Sequence, residues 1–134
     1  MKVHCLIFLA AFSLLFSCRK PEDSPAPSSI IKGKRWKLVS YDLGGTEIVS
    51  SFSGCVLSFD NNDVLIITNA GTNHTGTWVE FSDPPKIDMI ISSNDPYVNL
   101  FNKTWETVLL TPGRIQMADN KLNPLEVIKL DLLP

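Results

Sequence analysis

The stretch Phe52–Phe59, FSGCVLSF, is followed by Asp60–Asp63, DNND, and then by the apolar run Val64–Thr68, VLIIT. In an extended strand, alternate side chains point to the same face. Three apolar residues of the first run share a face in this way: Cys55, Leu57 and Phe59. Asparagine and aspartate tolerate the left-handed backbone conformations that tight turns require. The stretch therefore predicts two antiparallel strands joined by a hairpin turn.

Six further runs with strand character extend this pattern in both directions. They are Trp36–Tyr41, Thr75–Phe81, Lys86–Ser92, Trp105–Leu110, Arg114–Met117 and Val127–Leu132. Turn residues such as Gly44-Gly45 and Pro112-Gly113 separate them, and Asp95-Pro96 is typical of the start of a single helical turn. Together the runs predict an all-β domain, an antiparallel up-and-down meander of about eight strands. A small closed barrel is favoured over a sandwich because closure removes exposed edge strands.

The length and charge of the chain limit the classes of protein that fit it. Its 134 residues are enough for one domain and too few for two. The net charge is −2, and residues 18–134 carry 11 basic and 14 acidic side chains. A nucleic-acid-binding protein needs a basic face that displaces counterions. This near-balance of charge argues against such a role.

The first eighteen residues have the features of an export signal. Lys2 precedes the apolar run Leu6–Phe16, which is too short to span a bilayer, since a spanning helix takes roughly 20 residues. The run ends in Leu15-Phe16-Ser17-Cys18, where a small residue stands before a cysteine. These features resemble the signal of bacterial lipoproteins with its lipobox. The resemblance implies that a diacylglyceryl group is attached to the sulfur of Cys18 and that cleavage makes Cys18 the first residue.

Three segments follow from these features. Residues 1–17 are predicted to be a lipoprotein signal peptide, residues 18–31 a lipidated tether rich in proline and serine, and residues 32–134 the β-barrel domain. The position after Cys18 is not aspartate, the usual residue for inner-membrane retention, which favours the outer membrane of a bacterial cell envelope. Glu22-Asp23 after Lys20 also resembles surface-export signals, although a solvated tether explains the same residues. The sequence leaves open whether the domain faces the periplasm or the exterior.

The start of the predicted domain, Gly33–Tyr41 with the sequence GKRWKLVSY, resembles the opening strand of the lipocalin-like domains of bacterial lipoproteins. In those domains a glycine shortly precedes a tryptophan that plugs the barrel floor. Further matches are Cys55 with Phe59, Gly76-Thr77-Trp78, and Trp105–Thr111. Two residues separate Gly33 from Trp36, and no Thr-Asp-Tyr motif is present, unlike in true lipocalins. The resemblance therefore implies an up-and-down barrel and leaves open the ligand-binding role of true lipocalins.

Few residues offer catalytic or metal-binding chemistry. After loss of the signal peptide, His74 is the only histidine and Cys55 the only cysteine besides Cys18. One histidine and one thiol cannot supply a clustered zinc site, so no metal or other cofactor is expected. We expect His74 to be an exposed turn residue and Cys55 to be a small buried one. Because the carboxylates show no spacing that selects a catalytic pair, the chain is not predicted to be an enzyme.

Aromatic residues on the predicted strands are the candidate ligand-binding residues, namely Trp36, Phe59, Trp78 and Trp105. They either line a cavity for a small apolar ligand or form the core, and the short strands favour the core. Two functions follow: a lipid-anchored interaction or structural module that binds a protein or glycan partner, or a carrier for a small apolar molecule. The cluster Lys32, Lys34, Arg35 and Lys37 lies close to the tether. It could contact anionic lipid head groups, or it could simply be solvated.

Overall fold

The computed structural model describes residues 27–119, 121 and 125–134. These ranges contain the whole of the predicted barrel domain except residues 120 and 122–124. The predicted signal peptide, the predicted lipidation site Cys18 and the predicted tether up to residue 26 lie outside the described residues.

The described residues form one antiparallel sheet of nine strands and three short helices. The strands are β1 (Lys34–Leu43), β2 (Thr46–Glu47), β3 (Val56–Phe59), β4 (Val64–Asn69), β5 (Thr72–Ser82), β6 (Pro85–Ile91), β7 (Thr104–Leu110), β8 (Arg114–Asp119) and β9 (Glu126–Leu132). The helices are α1 (Pro27–Ile31) and two 3₁₀ turns, Val49–Ser51 and Val98–Phe101.

The sheet closes on itself as a barrel. Strands β1 and β3 to β9 pair in chain order, β1 also pairs with β9, and β2 is an extra strand at the edge of β1. Every pairing is antiparallel, as in an up-and-down meander. The prediction of an all-β barrel of about eight strands is therefore confirmed.

The barrel has two distinct ends. We call the end where β1 begins the α1 end; it also carries the turns β3–β4, β5–β6 and β7–β8. The other end, here the far end, carries the β1–β3 connection, the β4–β5 turn and the β6–β7 and β8–β9 connections. This division follows from the meander, because successive strands run in opposite directions.

The core lies inside the barrel and follows the predicted alternation. Cys55, Leu57 and Phe59 are buried on one face of the β3 region, as expected. On β6 the buried residues are Ile87, Met89 and Ile91, which is also the predicted set. Close strand contact requires glycine at one inner position, since a Cβ on Gly76 would overlap the carbonyl oxygen of Ile90.

Helix α1 closes the barrel at the α1 end, which corrects the predicted extent of the tether. The composition of residues 27–31 predicts a tether with nothing to bury, yet Ile31 is fully buried in the core. The backbone N–H of Ser28 donates to Glu80 Oε2 at 2.6 Å, which fastens the helix to β5. Gly33 then turns the chain into β1 with a φ of 71°, a conformation that glycine adopts readily. The folded domain thus includes α1.

Two other sequence predictions change at the far end. Residues 52–55 do not belong to a strand, because β3 begins only at Val56. The prediction of His74 as a turn residue is wrong, because the β4–β5 turn is limited to Ala70 and Gly71 and His74 lies within β5. The helical turn predicted near Asp95-Pro96 is confirmed as the 3₁₀ helix Val98–Phe101, whose Val98 and Phe101 are buried.

Candidate functional site

The four predicted ligand-binding residues all point into the barrel. Trp36, Phe59 and Trp105 have no solvent-accessible surface, and Trp78 keeps 2% of its surface. A void large enough for a water molecule would expose part of any side chain that lined it. In this structure the four residues therefore form the core and do not line a ligand cavity.

The polar atoms of the three tryptophans are already used within the protein. The indole N–H of Trp36 donates to the carbonyl of Ile31 at 3.3 Å, and that of Trp105 donates to Phe101 at 3.1 Å. Trp78 donates to the carbonyl of Asp60 at 3.3 Å. A buried indole N–H needs such a partner. Each tryptophan thus ties the barrel wall to a turn or helix at one of its ends.

The aromatic side chains fall into two groups instead of one site. Near the α1 end, Phe59 and Trp78 meet edge to face with ring centroids 5.2 Å apart. At the far end, Tyr41 contacts the rings of Phe52, Phe101 and Trp105, with centroid distances between 5.5 and 6.1 Å. The predicted set is therefore divided between the two halves of the core.

The far end holds a buried cluster of ionisable groups, here called the ionic cluster: Tyr41, Lys103, Asp119 and Glu126. Asp119 and Glu126 face each other across the β8–β9 pairing and are 5% and 4% exposed. Glu126 Oε2 accepts a hydrogen bond from the hydroxyl of Tyr41 and another from Lys103 Nζ, each at 2.7 Å. Lys103 Nζ also lies 3.9 Å from Asp119 Oδ2.

The ionic cluster joins four parts of the barrel. Tyr41 comes from β1, Asp119 from β8 and Glu126 from β9, while Lys103 comes from the β6–β7 segment that covers the far end. Lys103 Nζ also lies 5.3 Å from the ring centroid of Trp105, a distance suited to a cation–π contact. Burial, followed by the hydrogen bond and negative charge of Glu126, raises the pKa of the Tyr41 hydroxyl above its usual range. Tyr41 therefore stays a neutral donor, and the cluster fastens the seam between β1 and β9.

Sequence reasoning missed the ionic cluster, although a signal for it is present. The predicted strands end at Met117 and begin at Val127, one or two residues short of the buried carboxylates. One more step of the alternation from Ile115 and Met117 reaches Asp119, and one step back from Ile128 reaches Glu126. A charged residue at an inward position requires a buried partner, because an isolated buried charge is costly.

A series of hydrogen-bonded polar side chains also lies at the far end. His74 Nδ1 is 2.7 Å from Ser93 Oγ, which accepts a hydrogen bond from the backbone N–H of Asp95. Asp95 Oδ2 accepts from the side chain of Asn69, and Asn69 Oδ1 accepts from the backbone N–H of Ser53. These hydrogen bonds join the β4–β5 hairpin to the β6–β7 connection, which covers the far end. His74 is half-buried, which corrects the expectation that it is exposed.

Ser93 and His74 lack the other parts of a nucleophilic site. His74 Nε2 is buried and has no hydrogen-bond partner within the described residues, so no carboxylate orients the ring. The hydrogen bond from Asn69 contributes most to lowering the pKa of Asp95, and the carboxylate is engaged with its own turn. A triad requires the base to be oriented by a third group. The arrangement is therefore suited to holding the far end together.

Cys55 is buried as predicted, and its chemistry is suppressed. Its side chain belongs to the core, and no disulfide involves it among the described residues. Burial raises the pKa of the Cys55 thiol to about 12, and the negative charge of Asp95 adds to the shift. The thiolate is the nucleophilic form of cysteine. A neutral buried thiol has the packing role of a small apolar residue.

The described part of the chain shows no candidate metal site. No group of three histidine, cysteine, aspartate or glutamate side chains among residues 27–119, 121 and 125–134 could hold a metal ion. None of the helices in the same ranges is long and apolar enough to cross a membrane.

Comparisons with models of protein families, with curated proteins and with solved structures found no match.

Proposed function

We propose that this chain is a lipid-anchored lipoprotein of the bacterial cell envelope, whose barrel is a lipocalin-like domain acting as a non-enzymatic interaction or structural module. The lipid is placed on Cys18, and the outer membrane is the favoured location. The observation that carries the module function is the packed interior. Trp36, Phe59, Trp78 and Trp105 fill the barrel where a carrier would hold its ligand.

Closure at both ends supports the same proposal. Ile31 of α1 blocks one end, while Val98, Phe101 and Phe52 cover the other. A small-molecule carrier buries most of its ligand in a cavity of about 300 Å³ or more. To admit a ligand here, the barrel would have to displace core side chains or an end cover. Binding at the outer surface needs no such change.

The anchor is supported by the sequence features of residues 1–18. Nine residues, 18–26, separate the start of the predicted mature chain from Pro27, where α1 begins. A thioether-linked diacylglycerol together with an amide-linked acyl chain buries many methylene groups at ~0.8 kcal/mol each, so such an anchor is effectively permanent.

Metabolic labelling with a clickable fatty acid tests the anchor, and the chain provides its own matched controls. The full chain is compared with Cys18→Ala, Cys5→Ala and Cys55→Ala, each expressed in a Gram-negative host. We expect the label to disappear only in Cys18→Ala, because Cys5 leaves with the signal peptide and Cys55 is buried. Labelling that persists in Cys18→Ala would contradict the proposal.

A further inference from the structure

Two neighbouring hollows lie on the surface near the α1 end. One has a volume of about 410 Å³ and is lined by Gly33, Lys34, Arg35, Leu132, Leu133 and Pro134. The other, of about 550 Å³, is lined by Leu109, Thr111, Gly113, Arg114, Asp131 and Leu132. Leu132 belongs to both. We call the two hollows together the α1-end groove.

The groove combines apolar surface with positive charge. Leu109 is 41% exposed, and its neighbour Val108, at a bulge in β7, is 58% exposed. Across β8 and β9 from these residues, β1 carries three basic side chains: Lys34 and Arg35, which line the groove, and Lys37, which does not. None of the ion pairs within the described ranges involves any of the three. Within those ranges, none of the three charges is neutralised by an ion pair.

Acidic groups close to the groove leave this positive charge in place. Asp131 lines the groove, but both of its carboxylate oxygens accept hydrogen bonds from Arg114, at 2.7 and 3.1 Å, so the pair is neutral as a unit. Other carboxylates at this end lie outside the groove lining. They include Asp60, Asp63 and Asp83 in the β3–β4 and β5–β6 turns, and Glu80 on β5, which accepts the hydrogen bond from Ser28.

The position of the groove points to the partner. Helix α1 packs at the same end of the barrel, and the predicted lipidation site is nine residues before Pro27. Even a fully extended chain spans at most ~3.6 Å per residue, so about 30 Å separates the two at most. If Cys18 carries the lipid, the α1 end stays within that distance of the membrane surface.

We propose that the α1-end groove binds the head groups of anionic phospholipids, so that the barrel rests on the membrane with its far end turned away. This inference rests on the proposed lipid anchor. Lys34, Arg35 and Lys37 would meet lipid phosphates, while Leu109 and Leu132 would reach the base of the head-group layer. An amphipathic surface with lysine and arginine beside leucine suits that interface.

Depth-dependent quenching in vesicles tests the orientation. The full-length protein is purified with its lipid and inserted into vesicles with or without phosphatidylglycerol. A fluorophore is attached at Gly113→Cys, on the groove rim, or at Thr72→Cys at the far end, since Cys55 is buried. A Cβ at Gly113 meets no atom within 4 Å, so a cysteine fits there without a clash. Spin-labelled phospholipid is the quencher.

We expect stronger quenching at position 113 than at position 72, and only when phosphatidylglycerol is present. The double variant Arg35→Gln/Lys37→Gln should lower the docked-to-undocked ratio roughly tenfold or more, because each cation near the surface contributes about a factor of five. Lys121→Gln/Lys129→Gln removes two exposed charges that do not line the groove and should leave the ratio unchanged.

Separate outcomes distinguish this proposal from the proposed anchor. The intact mass of the same sample shows whether Cys18 is acylated, and an unacylated chain overturns both proposals. Acylated protein with equal quenching at positions 113 and 72 overturns the docking alone. Quenching that is independent of phosphatidylglycerol and of Arg35 and Lys37 overturns head-group recognition. Shielding of position 113 in native envelopes, but not in pure vesicles, would replace the lipid with a protein partner.

Discussion

The two ends of the barrel are closed by different kinds of chemistry. At the α1 end a single helical turn inserts the apolar side chain of Ile31, and the charges lie outside on the surface. At the far end a longer segment covers the barrel, and charges lie inside, in the contact between Lys103 and Glu126. The comparison shows that one small fold can leave its charges on the surface at one end and use them to hold itself closed at the other.

The difference has consequences for stability. Burying an ion pair costs desolvation free energy, and the attraction between the ions offsets this only when the geometry is good. Once such a pair is buried, removing one partner leaves an uncompensated charge. Exposed pairs such as Arg114 with Asp131 carry no such penalty, because water replaces the lost partner. Similar ionic contacts at the two ends should therefore respond very differently to mutation.

The largest effect is expected from Lys103→Met, which leaves two buried carboxylates without their cation. We expect the free energy of unfolding to fall by about 3–5 kcal/mol. Urea unfolding followed by tryptophan fluorescence measures this. Lys121→Met, at an exposed position of the same end, is the control and should change stability by no more than about 0.5 kcal/mol. A loss below about 1 kcal/mol for Lys103→Met would show that the ionic cluster does not hold the far end.

The matching change at the α1 end is Ile31→Ala, which removes the buried apolar side chain that closes the barrel there. A fully buried isoleucine replaced by alanine should cost about 2–4 kcal/mol through lost burial and the cavity left behind. The same urea measurement applies, with Leu125→Ala as the control, because Leu125 is 47% exposed. If Ile31→Ala were as mild as Leu125→Ala, α1 would not be part of the folded domain.

A smaller effect, dependent on pH, is expected from Asp95→Asn at the far end. The hydrogen bond from Asn69, supported by backbone N–H groups, lowers the pKa of Asp95, so the ionised carboxylate favours the folded state. This contribution is complete above the usual aspartate pKa of about 3.9 and is lost as the pH falls through the lower folded value. Asp95→Asn should therefore cost roughly 1 kcal/mol at pH 7.

Urea midpoints at pH 7 and pH 3 check this prediction. The wild-type protein should lose stability on acidification, and the Asp95→Asn variant should lose less. An identical loss in both proteins would show that Asp95 contributes nothing to the acid sensitivity of the far end.

The smallest effect is expected from Asp131→Asn at the α1 end. The hydrogen bond from Arg114 lowers the pKa of Asp131, but the pair is exposed, so water and salt screen it. We expect a loss of no more than about 0.5 kcal/mol, which should vanish in concentrated salt. Thermal unfolding at low and high ionic strength measures it. A loss above about 2 kcal/mol would remove the contrast between the two ends.

The parts of the fold that depend on local alternation were predictable from the sequence. Ile87, Met89 and Ile91 alternate with polar residues, which predicts a strand. The DNND sequence is typical of a hairpin turn, which predicts the antiparallel pairing of β3 with β4. Features that depend on contacts between distant segments were not. Ile31 stands beside serines and prolines that predict a tether, and only its place under the barrel shows that it is core.

The candidate site illustrates the same limit. The sequence identified the inward aromatic residues, but the choice between core and cavity lining depends on the interior volume, which no residue pattern specifies. Lys103 and Glu126 are 23 positions apart and meet only because the β6–β7 segment folds over the end of β9. The sequence predicts His74 in a turn because Gly71 and Asn73 are typical turn residues. Its place within β5 follows from its pairing with Ile67.

Mass spectrometry of the protein purified gently from its own envelope, under native and then denaturing conditions, tests the proposed function most directly. We predict a denatured mass equal to residues 18–134 plus the attached lipid, and the same mass in the native spectrum once detergent is removed. A reproducible excess mass that persists after detergent removal and is lost only on unfolding would contradict a packed module and would identify the barrel as a carrier.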